Sequence, residues 1–177
     1  MTTWRTDPHL AGRFHPQYPD DLQVMVHDGE PRRTKLAPEA CWVRVTGVAG
    51  ALYMPIAAPD ASPPISQSAV RWDQRTVYQG TLLNAPHNLR TIRQNDTVAF
   101  VFAPGLPHPV LVTSEYGGER RNWCITPCNG CGADQTLDPM TTMARTRFPD
   151  TPAGTAPLAF SALCPCGGTM MLALVGQ

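Results

Sequence analysis

Cysteine is the residue type in this chain whose number and spacing could support chemistry. Five of the six cysteines fall between positions 124 and 166, and they are Cys124, Cys128, Cys131, Cys164 and Cys166. Two residues separate Cys128 from Cys131, and one residue separates Cys164 from Cys166. A short turn of this kind lets two thiolates converge on one ion. The pattern therefore predicts a metal site with thiolate ligands.

Zinc is the metal that this set of ligands favours. Zn²⁺ prefers four tetrahedral ligands at Zn–S distances of about 2.3 Å, and Cys128, Cys131, Cys164 and Cys166 supply four sulfurs. A closed site of this kind leaves no position for water, so we predict one structural zinc ion. Because the second pair has the tighter spacing, Cys124 stays open as an alternative fourth ligand.

Three other interpretations of the clustered cysteines stay open. They are reduced thiols packed as small apolar residues, a disulfide, and iron–sulfur ligation. The sixth cysteine, Cys41, lies beside Trp42 in an alternating segment, so we expect it to be a small core residue.

Composition limits the classes of function. The chain has 14 basic and 14 acidic side chains, so its formal net charge is zero, which argues against general affinity for nucleic acid or anionic membranes. Its 19 prolines favour short strands over long helices. Residues 1–20 contain no apolar run, and no segment approaches the roughly 18 apolar residues of a membrane-spanning helix. We therefore expect a soluble cytoplasmic protein, in which thiols stay reduced.

Alternation of apolar and polar residues predicts a chain made mostly of strands. Residues 41–48 and 51–56 are predicted to form a hairpin, in which Pro55 would restrict its strand to an edge. A loop is expected over residues 57–68 and one short helix over residues 114–123. Between the cysteine pairs we expect a loop or an added hairpin that contains Met140, Met143 and Phe148. The further predicted strands are residues 22–26, 76–84, 97–102, 110–113, 157–163 and 169–175.

These elements predict a β-rich α+β fold with two units. Residues 1–120 would form a small antiparallel sheet domain, and residues 121–177 would form the cysteine-containing module. That module resembles a zinc ribbon, in which two cysteine turns are each followed by a strand. The resemblance implies that both turns bind one ion, with residues 167–172 in the second hairpin.

Three motifs of the amino-terminal unit resemble an uncharacterised bacterial family. Residues 42–45 match a Trp-Val-x-Val strand, residues 80–86 match Gly-x-Leu-x-Asn-x-Pro, and residues 95–98 match Gly-Asp-x-Val. Asn95 stands where the family has glycine, and a left-handed turn tolerates this replacement. Some members of that family are binding or immunity-type proteins. The activity of the family is itself unsettled, so the resemblance implies a fold more than a reaction.

No arrangement of residues indicates catalysis. His87 and His108 lie in loops that could line a groove, but neither has a recognisable partner. Cys124 follows Arg120 and Arg121, which could lower the pKa of its thiol, although no partner base is evident. Because no partner base is evident, an enzyme that uses Cys124 as its nucleophile ranks third among the hypotheses, after the two given in the next paragraph.

The leading hypothesis is a non-enzymatic cytoplasmic protein that is stabilised by one structural zinc and binds another protein. In its specific form this is an immunity protein that neutralises a toxin. The alternative is a nucleic-acid-binding zinc-ribbon protein, for which Arg145 and Arg147 would supply the cations. No membrane partner is predicted.

Overall fold

The structure is a computed structural model that describes residues 4–58, 60–155 and 157–176. Pro59, which belongs to the predicted loop, and residues 1–3 of the amino-terminal segment lie outside these ranges. The described chain is rich in strands and has few helices, all short, so the predicted β-rich α+β class is confirmed. The strands are β1 (Phe14–His15), β2 (Tyr18–Val26), β3 (Glu39–Ala57), β4 (Ile65–Ser66), β5 (Val70–Leu82), β6 (Thr97–Val101), β7 (Val110–Leu111), β8 (Trp123–Thr126), β9 (Ala159–Leu163) and β10 (Thr169–Gly176). The α-helices are α1 (Pro31–Thr34), α2 (Ser114–Arg120) and α3 (Met140–Arg147).

The first sheet closes on itself. Its strands follow the order β1-β2-β3-β5-β6-β7, and β7 also pairs in parallel with β2 where Met25 faces Val110. At this closure the Met25 N–H donates to the Pro109 carbonyl with an N–O distance of 2.8 Å. Alternating residues of β2, β3, β5 and β6 point inwards, and Cys41 lies among them as predicted. The interior is filled by Leu10, Leu22, Val24, Val26, Cys41, Val43, Val45, Tyr78, Leu82, Leu89, Val98, Phe100 and Leu111.

The predicted hairpin of residues 41–48 and 51–56 is wrong, because both segments belong to the single long strand β3. β3 pairs with β5 from Val43 to Ala57, and its register shifts between Val45 and Gly47 and again between Val48 and Gly50. Bulges of this kind bend a strand and take up extra residues without reversing the chain. Pro55 faces Trp72 of β5 beyond the part of β3 that pairs with β2, which is the edge position expected for a proline.

The second sheet is built around β10. This strand lies between β8 and β9 and is antiparallel to both, and β4 adds in parallel at its end. The predicted loop or hairpin between the cysteine pairs is wrong, because residues 140–147 form α3. Met140, Met143 and Ala144 of α3 are buried on one face, at the spacing of a helix that packs on a core.

The two sheets share one apolar cluster. Leu52 and Met54 of β3 and Val101 of β6 pack with side chains of α2, α3, β8, β9 and β10. The proposed division between residues 120 and 121 stays a prediction, and apolar contacts cross it. Within the described ranges no helix is long and apolar enough to cross a membrane.

Candidate metal centre

Strand pairing brings the two cysteine turns together. Cys128 and Cys131 follow β8, whereas Cys164 and Cys166 lie in the turn between β9 and β10. The end of β8 and the end of β9 flank the start of β10, since Met171 pairs with Thr126 and Thr169 pairs with Leu163. The two turns therefore meet at one end of the second sheet.

The four sulfur atoms surround a common centre. All four Sγ atoms lie within 4.8 Å of one another. The distance from Cys128 Sγ to Cys166 Sγ is 3.5 Å, and that from Cys131 Sγ to Cys164 Sγ is 3.6 Å. In a tetrahedron with Zn–S bonds of about 2.3 Å, neighbouring sulfurs are roughly 3.8 Å apart. A disulfide needs about 2.05 Å, and all six cysteines are free. The arrangement could therefore hold one metal ion.

Glycines let the two turns approach this closely. Gly132 and Gly167 adopt left-handed backbone conformations, with φ of 79° and 89°. A Cβ atom on Gly168 would lie 2.5 Å from Cys128 Sγ and 2.8 Å from the Gly130 nitrogen. Any side chain at position 168 would therefore force the two turns apart.

Hydrogen bonds also join the two turns. The Asn129 N–H donates to the Thr169 carbonyl at 3.1 Å, and the Thr169 N–H donates to Asn129 Oδ1 at 2.9 Å. Within each turn a further N–H group points at a sulfur atom. Gly130 N lies 3.4 Å from Cys128 Sγ in the first turn, and Gly168 N lies 3.3 Å from Cys166 Sγ in the second. The relative position of the sulfurs is thus set by the backbone of both turns.

The electrostatics of the cluster favour a bound cation. The N–H of Cys131 is the main cause that lowers the pKa of the Cys128 thiol to about 6. Burial raises the pKa of the Cys164 thiol to about 12. Four thiolates at these separations repel one another, so a nearby positive charge is needed for all four to ionise.

Only one side of the cluster faces solvent. Cys128 and Cys164 are buried in the apolar cluster that contains Met140 and Met143, whereas Cys166 is exposed. An ion held here would connect the solvent-facing turn to the core of the second sheet.

Cys124 lies elsewhere. It is in the middle of β8 and packs with Ile65, Ala173 and Val175, and it does not belong to the group of four sulfurs. Burial raises the pKa of its thiol, which works against the reactive thiolate that a nucleophile requires.

The cysteine turns differ in part from those of the zinc ribbon that the module resembles. The second turn does join two paired strands, β9 and β10. The first turn is followed by an irregular segment and then by α3 rather than by a strand. The four clustered cysteines are nevertheless consistent with a zinc-ribbon-like module.

Of the other candidate functional residues singled out from the sequence, only His108 lies at a cavity that a clustered cysteine also lines. The His87 N–H donates to a carboxylate oxygen of Glu39 at 2.8 Å. Arg145 and Arg147 are exposed in the last turn of α3. His108 lines a cavity that also includes Cys164.

A buried polar network supports the module, and sequence reasoning missed it. Arg120 is only 2% exposed, and its guanidinium donates to the Trp123 carbonyl at 2.6 Å and to Gln135 Oε1 at 3.3 Å. The Tyr116 hydroxyl donates to the same Gln135 oxygen at 2.6 Å. The network ties α2 to the segment between the first cysteine turn and α3. No sequence pattern distinguishes Arg120 from the exposed arginines.

No family model, curated protein or solved structure matches this chain. The resemblance of the amino-terminal motifs to a bacterial family gains no support from these comparisons. In that region the left-handed turn expected at Asn95 is present, with φ of 73°.

Proposed function

We propose that Cys128, Cys131, Cys164 and Cys166 bind one Zn²⁺ ion with a structural role. The observation that carries this proposal is the meeting of four sulfurs, from two separate turns, within 4.8 Å of one another. Four thiolates leave no open coordination position for water or substrate, which is the property of a structural site.

Metal analysis of the purified protein tests this proposal. We expect about one zinc ion per chain, and we expect Cys128→Ser and Cys164→Ser to lose it. Cys124→Ala is the matched control, because it removes a buried thiol outside the group and should retain the metal. Equal zinc content in all four proteins, or a wild-type protein without stoichiometric metal, would contradict the proposal.

We further propose that the protein is a non-enzymatic binding protein whose partner is another protein. Tyr53 and Trp72 support this, since they are 52% and 50% exposed. Tyr53 faces Gln74, and Pro55 faces Trp72, so both aromatic residues lie on one face of the β3–β5 pair. Tyrosine and tryptophan dominate the binding energy of many protein interfaces. Leu52 and Met54 on the other face are buried and hold this part of β3 in place.

A comparison of surface variants tests the partner's class. Protein retained from the native host by immobilised wild type should be lost on Tyr53→Ser with Trp72→Ser and kept by Tyr18→Ser. Tyr18 is a fair control because it is 55% exposed and lies in β2. Retention that the double variant leaves unchanged would argue against this surface. That the partner is a toxin stays a prediction from the family resemblance.

Nucleic-acid binding is the second candidate. The Arg147 guanidinium lies 5.8 Å from the ring centre of Phe148, and this ring is 38% exposed. An exposed ring beside cations can stack on a base while arginines contact phosphate. Retention on single-stranded DNA or RNA, measured at increasing salt concentration, tests this candidate. Nucleic-acid binding is favoured if the retention depends on salt and is lost in the double variant Arg145→Ala with Arg147→Ala, but is kept in the control Arg90→Ala with Arg93→Ala.

A further inference from the structure

A large cavity lies next to the cysteine cluster. Its volume is about 720 Å³, within the roughly 300–1,000 Å³ of typical small-molecule sites. Five separate parts of the chain form its wall, namely Met25 of β2, the segment that includes α1, the loop before β7, the residues around the start of α3, and the β9–β10 turn with its flanking strands. Cys164 and Pro165 of that turn contribute to the wall.

The interior of the cavity is mainly apolar. Leu36, Leu106, Leu137, Met143 and Met170 line it. These two methionine side chains adapt to apolar ligands of different shape, since methionine is unbranched and has three rotatable bonds. Such a wall suits an alkyl chain or a ring system better than it suits a sugar or a nucleotide.

The charged groups of the cavity are few and differ in their pairing. Arg32 lies against the buried carboxylate of Asp138, with its backbone N–H 2.9 Å from Oδ1 and its Nε 3.8 Å from Oδ2. The Arg32 guanidinium also donates to the Leu163 carbonyl at 3.1 Å. The charge of Arg32 is therefore largely compensated by the protein.

Lys35 is different. It is the single lysine of the chain and lines the same cavity, and it makes no ion pair with any carboxylate in residues 4–58, 60–155 or 157–176. Its backbone is left-handed, with φ of 64°, and its N–H donates to the Pro31 carbonyl to end α1. Burial lowers the pKa of His108, the third basic residue of the wall besides Arg32 and Lys35, and so favours its neutral form. Lys35 is thus the cationic side chain of the wall that no described carboxylate compensates, and Cys164 of the thiolate cluster contributes another part of the same wall.

We propose that this cavity binds a small amphipathic monocarboxylate, whose apolar body fills the interior and whose carboxylate pairs with Lys35. A single unpaired cation matches a monoanion better than a dianionic phosphate. The proposal goes beyond the protein partner proposed above and does not depend on it, because the cavity and the Tyr53–Trp72 face are lined by different residues.

Decanoate, below the concentration at which it forms micelles, is the probe. The single lysine permits a direct test on the full zinc-loaded chain, because reductive methylation with ¹³C-formaldehyde labels only Lys35 and the amino terminus. Both dimethylamines keep their charge. We expect decanoate to move the Lys35 NMR signal in a saturable one-to-one titration.

Variants and related probes separate the contributions of charge and apolar surface. Lys35→Glu should weaken decanoate binding about tenfold, since it replaces an attraction with a repulsion. Arg33→Gln is the matched control, because Arg33 lies on α1, pairs with Glu30 and does not line the cavity; its affinity should be unchanged. Decyltrimethylammonium should bind at least about tenfold more weakly than decanoate, and acetate should not saturate.

Several results would overturn the proposal. One is the absence of saturable decanoate binding, and another is a Lys35 signal that does not move. Equal binding of decanoate and decyltrimethylammonium would indicate an apolar occupant such as a segment of a partner protein. Unchanged decanoate affinity in Lys35→Glu would exclude the pairing of the carboxylate with Lys35. If that variant does not fold, the affinity of Lys35→Gln and the Lys35 signal in the wild-type titration decide the same question.

Discussion

The closed sheet and the sheet around β10 differ in what fills their interiors. The closed sheet buries side chains such as Leu22 and Phe100 completely, and its strands are joined by a ring of backbone pairings. The sheet around β10 ends in four cysteines and packs on buried polar groups that include Arg120, Gln135 and Asp138. Apolar side chains make up most of the interior of the closed sheet, whereas the second sheet also depends on buried polar groups, which stabilise it only when they are hydrogen-bonded.

This difference has a consequence for stability. Buried polar groups lose hydrogen bonds to water and must recover them inside the protein, so they add little net stability. A metal ion that binds only the folded thiolate cluster adds its full binding free energy to folding. We therefore expect the second sheet to depend on metal and the closed sheet to depend on its core.

Removal of the metal should have the largest effect. Structural zinc in small modules contributes on the order of 10 kcal/mol of apparent binding free energy. We expect a strong chelator to increase hydrogen exchange in β8, β9 and β10 far more than in β2, β3 and β6, as measured by mass spectrometry. Uniform loss of protection would show that the two sheets unfold as one unit, and no loss would contradict the metal centre.

Truncation of the core of the closed sheet should come next. Leu22 is completely buried in β2, so Leu22→Ala should lower the free energy of unfolding by about 2–5 kcal/mol. Urea denaturation measures this change, and Tyr18→Ala in the same strand is the exposed control. The zinc content of Leu22→Ala should equal that of wild type. A loss of zinc in this variant would show that the metal site depends on the core of the closed sheet.

Gly168→Ala should weaken metal binding without removing a ligand. The added Cβ would meet Cys128 Sγ at 2.5 Å and push the two cysteine turns apart. We expect zinc affinity to fall about 10- to 100-fold, the range seen when groups that orient ligands are changed. Competition with a coloured chelator measures it. Gly118→Ala, where a Cβ meets nothing within 4 Å, should leave zinc affinity unchanged.

The smallest expected effect is a pH dependence of the free energy of unfolding, which arises from His27 at the end of β2 in the closed sheet. His27 is 1% exposed, its Nε2 lies 2.8 Å from the Leu111 carbonyl, and its Nδ1 accepts from the Gly29 N–H at 3.0 Å. These contacts require neutral imidazole with the proton on Nε2. Burial lowers the pKa of His27, whereas in the unfolded chain the imidazole takes up a proton below about pH 6.5.

The unfolded state therefore binds more protons in this range, and stability falls as pH drops below about 6.5. His27→Gln should show a smaller fall than wild type between neutral and mildly acidic pH in denaturant titrations. Equal slopes for the two proteins would mean that other groups carry the pH dependence.

Local signals predicted much of the fold. Alternation located β2, β6, β9 and β10 to within a few residues, because a half-buried strand needs an apolar side chain at every second position. The long strand β3 was divided wrongly, since Gly47 and Gly50 suggest a turn when read alone and become bulges only opposite β5. The α3 helix was missed, although Met140, Met143 and Ala144 carry its periodicity.

The four cysteines of the candidate site could be predicted from the sequence, whereas the residues around them could not. Two cysteine pairs with short spacing are recognisable anywhere in a chain, because a turn of a few residues suffices to point two sulfurs in one direction. Arg120 and Lys35 could not be assigned in the same way. The burial of Arg120 and the place of the exposed Lys35 at a cavity depend on segments that are distant in sequence, such as Gln135 for Arg120 and Met170 for the cavity.

The sequence by itself determined most of the alternating strands, the short helix that begins at Ser114 and the two cysteine turns. Only the tertiary structure decided that the turns meet across β10, that Met25 and Val110 close the first sheet, and that an apolar cavity lies beside Cys164. The physical reason is that periodicity and turn chemistry act over a few residues. Pairing and burial depend on contacts between residues far apart in the chain, whose free energy no local pattern contains.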